Sequence, residues 1–232
     1  MTAPPSRIDL DLDLDLLDLY LVRHGETEDN ARRVFQGQGG KGLNDRGRRQ
    51  AALVARRLEG MKPVAIVASD LDRAVETARI IGEACGLPIA TDAGLREIDV
   101  GTWTGQGYDA VARLYPDEWA AWDQGLDIRR GGGETYAELG DRMDRTIARV
   151  ATRLSEASTV DPRPRLVLVS HGGAIKSWIA RILGVSSEGL RALAGISNTG
   201  ITRVERVGPA SSPRHRLHTW NDVAHLEELL ML

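Results

Sequence analysis

Two histidines end two apolar runs in the same way. His24 closes "LYLVRHGE" (19–26) and His171 closes "LVLVSHGG" (166–173), and glycine follows each at once. A third run, "VAIVAS" (64–69), leads into "DLDRAVETA", which carries Arg73 in the first turn of an expected helix. A cation there opposes the helix dipole, so its position points to an anion that compensates it. If the three runs are parallel strands, their carboxyl ends open on one crevice, where such sheets bind ligands. The glycines Gly25, Gly172 and Gly173 would let the backbone approach that ligand closely. Arg23, His24, Arg73 and His171 then make a compact cationic pocket whose natural guest is phosphate. Neutral imidazole is a capable nucleophile, nearby arginines depress the pKa of His24 and keep it unprotonated, and guanidinium groups are planar, permanently charged phosphate ligands. In-line transfer needs a proton donor for the leaving oxygen, and Glu97 in "LREIDVGTWTG" is the candidate carboxyl.

The elements that must position these residues follow from patterning. Strand-like runs at "LYLVRH" (from about Leu17), 64–69, 166–170 and 200–207 alternate with amphipathic helical patterns at 44–60, 71–86, 134–157 and 172–184. That alternation predicts an α/β fold of three layers, α/β/α, with a mostly parallel sheet. The runs 200–207 and 214–220 flank the turn-prone "GPASSP" and predict an antiparallel edge hairpin. Residues 101–133 break the rhythm with aromatic side chains, a Tyr115-Pro116 step and Gly131-Gly132-Gly133, and read as a helical lid insertion. The Asp-Leu alternation at the N-terminus would set aspartate along a whole strand face, which forbids burying it. Residues 1–16 are therefore read as a frayed extension, and 17–232 as a single domain.

Length and composition agree with one soluble domain: 232 residues, 42% hydrophobic and 27% charged. A net charge of -3 offers no global field for nucleic acid or an anionic membrane, so neither is an expected partner. The lone Cys85 excludes an intramolecular disulfide and a thiolate metal site. No apolar run is long enough to span a bilayer, and the start lacks the unbroken apolar segment of a signal peptide. A cytoplasmic location is expected, and the preference for arginine over lysine suggests a high-GC bacterium. His215, His218 and His225 lack the spacing and acidic partner of a histidine metal site, so no metal and no other cofactor is expected. An exposed sheet edge is compatible with a homodimer.

Taken together, the residues resemble the histidine phosphatase superfamily, the phosphoglycerate-mutase-like group, over nearly the whole chain. Arg23-His24-Gly25-Glu26-Thr27 is similar to its signature, with Asn30 a few residues on. Ser69-Asp70-Leu71-x-Arg73-Ala74-x-x-Thr77-Ala78 resembles its second phosphate element, and Glu97, Gly101, Trp103 and Gly105 its acidic motif. Gly132-Gly133-Glu134-Thr135, His171-Gly172-Gly173, Asn198-Thr199 and Asn221-Asp222-x-x-His225-Leu226 complete the match. The resemblance implies a metal-independent phosphohistidine mechanism acting on a small phosphorylated metabolite. By it, His24 takes the phosphoryl group, and Arg23, Asn30, Arg73 and His171 hold its oxygens. Glu97 protonates the leaving group and then deprotonates water, while Gln36 and Gly37 line the substrate mouth.

The mutase branch is the alternative, but Ile98-Asp99-Val100 after Glu97 and Gly37-Gln38-Gly39-Gly40 after the first motif depart from the mutase pattern. These departures favour hydrolysis. A third reading is a catalytically weak phosphate-binding module. Val34 stands where many relatives carry arginine, with Arg33 available to substitute. Trp103, Trp119 and Trp122 are read as packing residues of the lid, and Arg129 and Arg130 as surface charges. Residues 32–41 and 102–133 should choose among sugar phosphates, phosphoglycerate derivatives and nucleotide-like esters.

Overall fold

A computed structural model describes residues 16–157, 161, 163–186, 189–209 and 212–230. Six strands form one sheet: β1 (Leu16–Arg23), β2 (Ala65–Ala68), β3 (Ile89–Thr91), β4 (Arg165–Ser170), β5 (Ile201–Val207) and β6 (Arg214–Asp222), in the order β3-β2-β4-β1-β5-β6. The first four are mutually parallel; β5 and β6 are antiparallel and form the expected hairpin at one edge. The helices are α1 (Glu28–Ala31), α2 (Asp45–Glu59), α3 (Asp72–Cys85), α4 (Tyr108–Leu114), α5 (Pro116–Asp123), α6 (Tyr136–Ala157), α7 (Gly172–Ile182) and α8 (Glu227–Leu230). Among the described residues no helix is long and apolar enough to cross a membrane.

The central strands are apolar on both faces, which is why their sequences read as unbroken hydrophobic runs. On one face Leu19, Leu21, Leu166 and Leu168 join Leu139, Met143 and Ile147 of α6 and Ile175, Trp178 and Ile179 of α7. On the other, Tyr20, Val22, Val167 and Val169 join Val54, Ala55 and Leu58 of α2 and Ala74, Ala78 and Ile81 of α3. Apolar positions three and four apart give each helix one buried stripe. Residues 101–133 carry α4 and α5, and Phe35 stacks on Tyr108 there, with ring centroids 4.3 Å apart.

Three departures from the sequence reading have physical reasons. β3 was not expected: it has three residues and only Ile89 is half-buried, so it leaves no alternation to read. Leu16 already belongs to β1, and Asp18 is buried to 2% exposure. It is buried because Arg163 and Arg203 donate to its carboxylate at 2.9 and 3.1 Å, and these partners hold its pKa below the usual value against the cost of burial. The rest of the Asp-Leu extension, residues 1–15, lies outside the described residues. Finally, Gly25 serves packing. A Cβ there would sit 2.5 Å from the Gly47 carbonyl oxygen, and one on Gly47 would sit 2.1 Å from the Glu26 carbonyl oxygen. The N-terminus of α2, capped by Asn44 accepting from the Gly47 N–H at 2.8 Å, thus lies directly against the turn after β1.

Replacing glycine by alanine inside a helix ordinarily stabilises by up to about 1 kcal/mol. Here the sign should reverse: Gly47→Ala is expected to destabilise by about 2 kcal/mol through backbone overpacking. The urea midpoint would fall at unchanged m; a raised midpoint would contradict the packing.

Candidate active site

Parallel pairing places the candidate residues together. Arg23 pairs in register with Ser170, and Ala68 with Val169, so β1, β4 and β2 end side by side. The His24 N–H donates to the Ser170 carbonyl at 3.0 Å and the Ser69 N–H to the Val169 carbonyl at 2.8 Å, carrying the ladder one step past the strands. The His24 and His171 rings consequently lie 5.1 Å apart, both buried.

His24 has a defined tautomer. Its Nδ1 lies 2.7 Å from the Gly25 carbonyl oxygen, which can only accept, so Nδ1 carries the proton. Burial pushes the pKa of the ring well below the ordinary histidine value, and the charges of Arg73 and Arg23 add to the effect. The ring is neutral, and its Nε2 lone pair is the free one. His171 is also held neutral, first by burial and then by Arg73. Its Nε2 sits 2.8 Å from Ser69 Oγ, which already accepts from the Leu71 N–H, so the hydroxyl proton is available to Nε2. The other ring nitrogen, Nδ1, is a buried atom without a partner.

The arginines are anchored by backbone. Arg73, 2% exposed, donates from Nη1 to the Gly39 carbonyl at 2.5 Å and from Nη2 to the Gly37 carbonyl at 2.7 Å. Burial lowers its pKa to about 10. Arg23 donates from Nη1 to the Ile196 carbonyl at 2.6 Å, and the Nε of each arginine is buried without a partner. Asn30 accepts at Oδ1 from the Thr27 N–H and from Asn198 Nδ2, which leaves its own amide protons as the group it offers. Gln36 Oε1 accepts from the Thr27 hydroxyl at 3.1 Å. Asn198 Nδ2 also lies 3.0 Å from the His24 carbonyl, and the Thr199 N–H donates to the Arg23 carbonyl at 3.0 Å, so the turn before β5 braces the loop after β1.

Glu97 sits at the amino end of α7. Its Oε2 accepts from the Gly173 N–H at 3.1 Å and its Oε1 from Ala174 at 3.0 Å and Ile98 at 2.9 Å. The N–H groups of Gly173 and Ala174 are ones the helix leaves unsatisfied, at its positive pole. Gly173 is needed there, since a Cβ would fall 2.5 Å from Glu97 Oε1. Behind Glu97, Arg142 donates to the carbonyls of Gly94, Arg96 and Glu97 at 2.9, 3.0 and 3.1 Å and pairs with Glu134 at 2.7 Å. Sequence reasoning missed Arg142. The signal available was a charge inside the buried α6 stripe of Leu139, Met143 and Thr146.

The cleft encloses about 200 Å³ and is lined by Arg23, His24, Asn30, Gln36, Gly37, Arg73 and Glu97. His171 is not among the lining residues, and its ring stands 5.1 Å from that of His24. From the 101–133 segment come Tyr108, Trp122 and Arg130. Trp103 is fully buried, as a packing residue should be, whereas Trp122 reaches the cleft. Val34 lines it as well. Arg33 instead lies 5.4 Å over the Tyr108 ring and borders a neighbouring outer pocket, so it does not replace the missing inner cation. The paired expectation for Arg129 and Arg130 splits. Arg129 is exposed and bonded to Glu138, while Arg130 is buried to 4% exposure, because its turn folds inward against residues 99–102.

Holding the buried His24 and His171 and the half-buried His215 and His225 neutral, the last with a pKa lowered to about 4, has a sign for stability. Below about pH 6.5 the unfolded chain binds protons that these folded rings refuse, so stability falls with falling pH, by up to about 1.4 kcal/mol per pH unit for each histidine. Urea unfolding at pH 7.5 and 5 should report this loss, and His225→Gln should reduce it; a pH-independent midpoint over that window would contradict neutral burial.

Residues 19–222 match the histidine phosphatase superfamily (branch 1). The chain is 34% identical over 215 residues to the glucosyl-3-phosphoglycerate phosphatase of Mycolicibacterium vanbaalenii, covering 90% of this chain and 96% of that protein. It is 36% identical over 228 residues to phosphoglycerate mutase-like protein 4 of Arabidopsis thaliana, covering 96% and 92%. Among solved structures, a mycobacterial glucosyl-3-phosphoglycerate phosphatase in complex with VO3 superposes with a TM-score of 0.80 at 33% identity, over 89% of this chain and 99% of that one. With paired strand-end histidines, buried arginines and a carboxylate at one cleft, this chain belongs to the histidine phosphatase superfamily.

Proposed function

We propose that the protein is a phosphomonoesterase that hydrolyses a small phosphorylated metabolite through a phosphohistidine on His24, with no step assigned to a metal. The observation that carries this reading is the Nδ1 contact of a neutral His24 with the Gly25 carbonyl, which leaves Nε2 as the nucleophile. Nε2 attacks phosphorus as the bond to the ester oxygen breaks, and Glu97 gives that oxygen its proton. Glu97, now a carboxylate, takes a proton from water. The oxygen of that water attacks phosphorus, the P–N bond breaks, and inorganic phosphate leaves with Nε2 free again. The Asn30 amide and the unpartnered Nε groups of Arg23 and Arg73 are the donors on the cleft wall for the non-bridging oxygens, with the His171 ring beside them and its Nδ1 unpartnered. Glu97 is held by three N–H groups of a rigid helix end and its own loop, which fixes the carboxyl that must act twice.

The loop that would separate hydrolase from mutase supports hydrolysis. The Gly37 and Gly39 carbonyls are occupied by Arg73, and Gln38 Nε2 reaches the Glu97 carbonyl at 3.3 Å, so this segment offers no extra cation to a phosphoglycerate. Phosphate release without interconversion of 2- and 3-phosphoglycerate is the result expected.

Release of phosphate from an aryl phosphate should persist in excess chelator and vanish in His24→Ala. Glu97→Gln should lower turnover of alkyl phosphates about 10²- to 10⁴-fold, and that of p-nitrophenyl phosphate less, because its leaving group needs little protonation. Equal losses on both substrates would remove Glu97 from the acid role. Arg73→Ala should weaken inhibition by inorganic phosphate as well as turnover, since it loses ground-state and transition-state contacts together. An unchanged inhibition constant would displace Arg73 from the phosphate.

A further inference from the structure

Gln50 is a polar side chain, 5% exposed, on the buried side of α2 with Ala51, Val54 and Leu58. An apolar residue would pack there at no polar cost, so the amide is tolerated only where it is bonded. Its Oε1 accepts from the Glu26 N–H at 2.9 Å. Because the partner is a donor, the oxygen of the amide must face it.

That N–H belongs to the peptide unit whose carbonyl is Gly25, and the same carbonyl meets His24 Nδ1 at 2.7 Å. One peptide therefore joins the ring to Gln50: His24 Nδ1–H donates into its oxygen, and its own N–H donates on to Oε1. The peptides on either side are held by other groups. The Gly25 N–H donates to Thr77 Oγ1 at 3.0 Å and the Thr27 N–H to Asn30 Oδ1 at 3.2 Å. Among the described residues, Gln50 is the side chain bonded to the unit that faces the ring. It is delivered by a helix already locked to this loop, since the Asn44 N–H donates to the Glu26 carbonyl at 3.0 Å and the Gly47 backbone closes on Gly25.

The charge on the ring shows what such a relay can do. When Nε2 takes a phosphoryl group, its lone pair becomes the N–P bond, and the ring, still protonated at Nδ1, turns positive. Burial, Arg73 and Arg23 oppose that charge, whereas the Gly25 carbonyl favours it. A peptide that donates through its N–H accepts more strongly at its oxygen, because bonds in a chain polarise one another. A carboxylate in place of the carbonyl would also favour a proton on the resting ring. A polarised peptide supports the transient charge with less of that side effect.

We propose that Gln50 is a positioning residue for the nucleophile: through the Gly25–Glu26 peptide it holds His24 as the Nδ1–H tautomer and supports the positive ring of the phosphoenzyme. This rests on the phosphohistidine reading of His24.

The test has a readout without substrate and one with it. Nitrogen NMR of protein labelled in its histidine rings reports the His24 tautomer, the signals being assigned by their loss in His24→Ala. The kcat/KM for p-nitrophenyl phosphate covers the steps up to phosphoryl transfer, and the inhibition constant of inorganic phosphate reports ground-state binding. Gln50→Leu removes the acceptor. It is expected to lower kcat/KM about tenfold, the size of one neutral hydrogen bond, to keep the inhibition constant within about twofold, and to bring an Nε2–H signal of His24 into the spectrum. Gln50→Glu keeps an acceptor oxygen in either protonation state, and should hold kcat/KM within about threefold of native and a single tautomer. If Gln50→Leu does not fold, Gln50→Asn, one methylene too short to reach the Glu26 N–H, replaces it with the same expectations. Native kcat/KM in the variant without the acceptor would overturn the proposal, and so would an unchanged His24 tautomer. Equal losses of kcat/KM and phosphate affinity, or a Gln50→Glu protein as poor as Gln50→Leu, would reduce Gln50 to general packing. If the tautomer responds to Gln50→Leu but the native protein forms no phosphohistidine and releases no phosphate, the phosphatase reading fails and the hold of Gln50 on His24 stands.

Discussion

Two neutral histidines are buried beside guanidinium groups that, among the described residues, make no direct ion pair and feel Glu97 as their main opposing charge, and most of the structure around the cleft exists to hold that arrangement. Like charges repel in a low-dielectric site, so Arg23 and Arg73 can stay close only because each is tied to backbone carbonyls, at Ile196 and at Gly37 and Gly39. Burial first, and these cations in addition, keep protons off His24 and His171. Carbonyl oxygens neutralise nothing. They orient the guanidinium groups and leave their charge for an incoming anion.

Position is supplied at three levels. Strand register brings Arg23, Ser170 and the end of β2 into line. Close backbone contact at Gly25 and Gly47 sets α2 against the loop after β1, and the Asn198-Thr199 turn braces that loop from the other side. Glu97 lies on a loop, yet it is held by the amino end of α7 and, from behind, by Arg142 reaching three carbonyls. The carboxyl is thus positioned by rigid helices although its own segment has no regular structure.

The sequence made the centre of this arrangement readable because its signals are local. A strand that ends in His-Gly is visible in a few residues, and so is a helix that begins with an arginine; register then does the assembly. What escaped was set by partners distant in the chain. Asp18 looked unburiable until Arg163 and Arg203 supplied its counter-charges. Gly25 looked like a residue for ligand approach, but its neighbour is the backbone of α2. Arg129 and Arg130 are adjacent and chemically identical, and only the inward fold of the 130–133 turn sends one to solvent and the other to the cleft. Arg142 was hidden because a charge within an apolar stripe reads as noise until its carbonyl partners are known.

This division has a consequence for how one scaffold can change substrates. The candidate phosphoryl-site residues stand on strand ends and helix termini inside the core, where a shift of one residue would disturb the sheet itself. The remaining cleft residues Tyr108, Trp122 and Arg130 come from a single connection whose aromatic side chains cluster with one another and with Phe35. That connection is joined to the rest of the domain by the pairing of Asp99 with Glu134, by the tight turn at Gly131, and by backbone bonds of Gly105, Gln106 and Tyr108 to residues 33–35. Its cleft-facing residues thus stand on a different segment from His24, Arg73 and Glu97. Arg130, on that connection, is not among the groups that lower the His24 pKa, which are burial first and then Arg73 and Arg23.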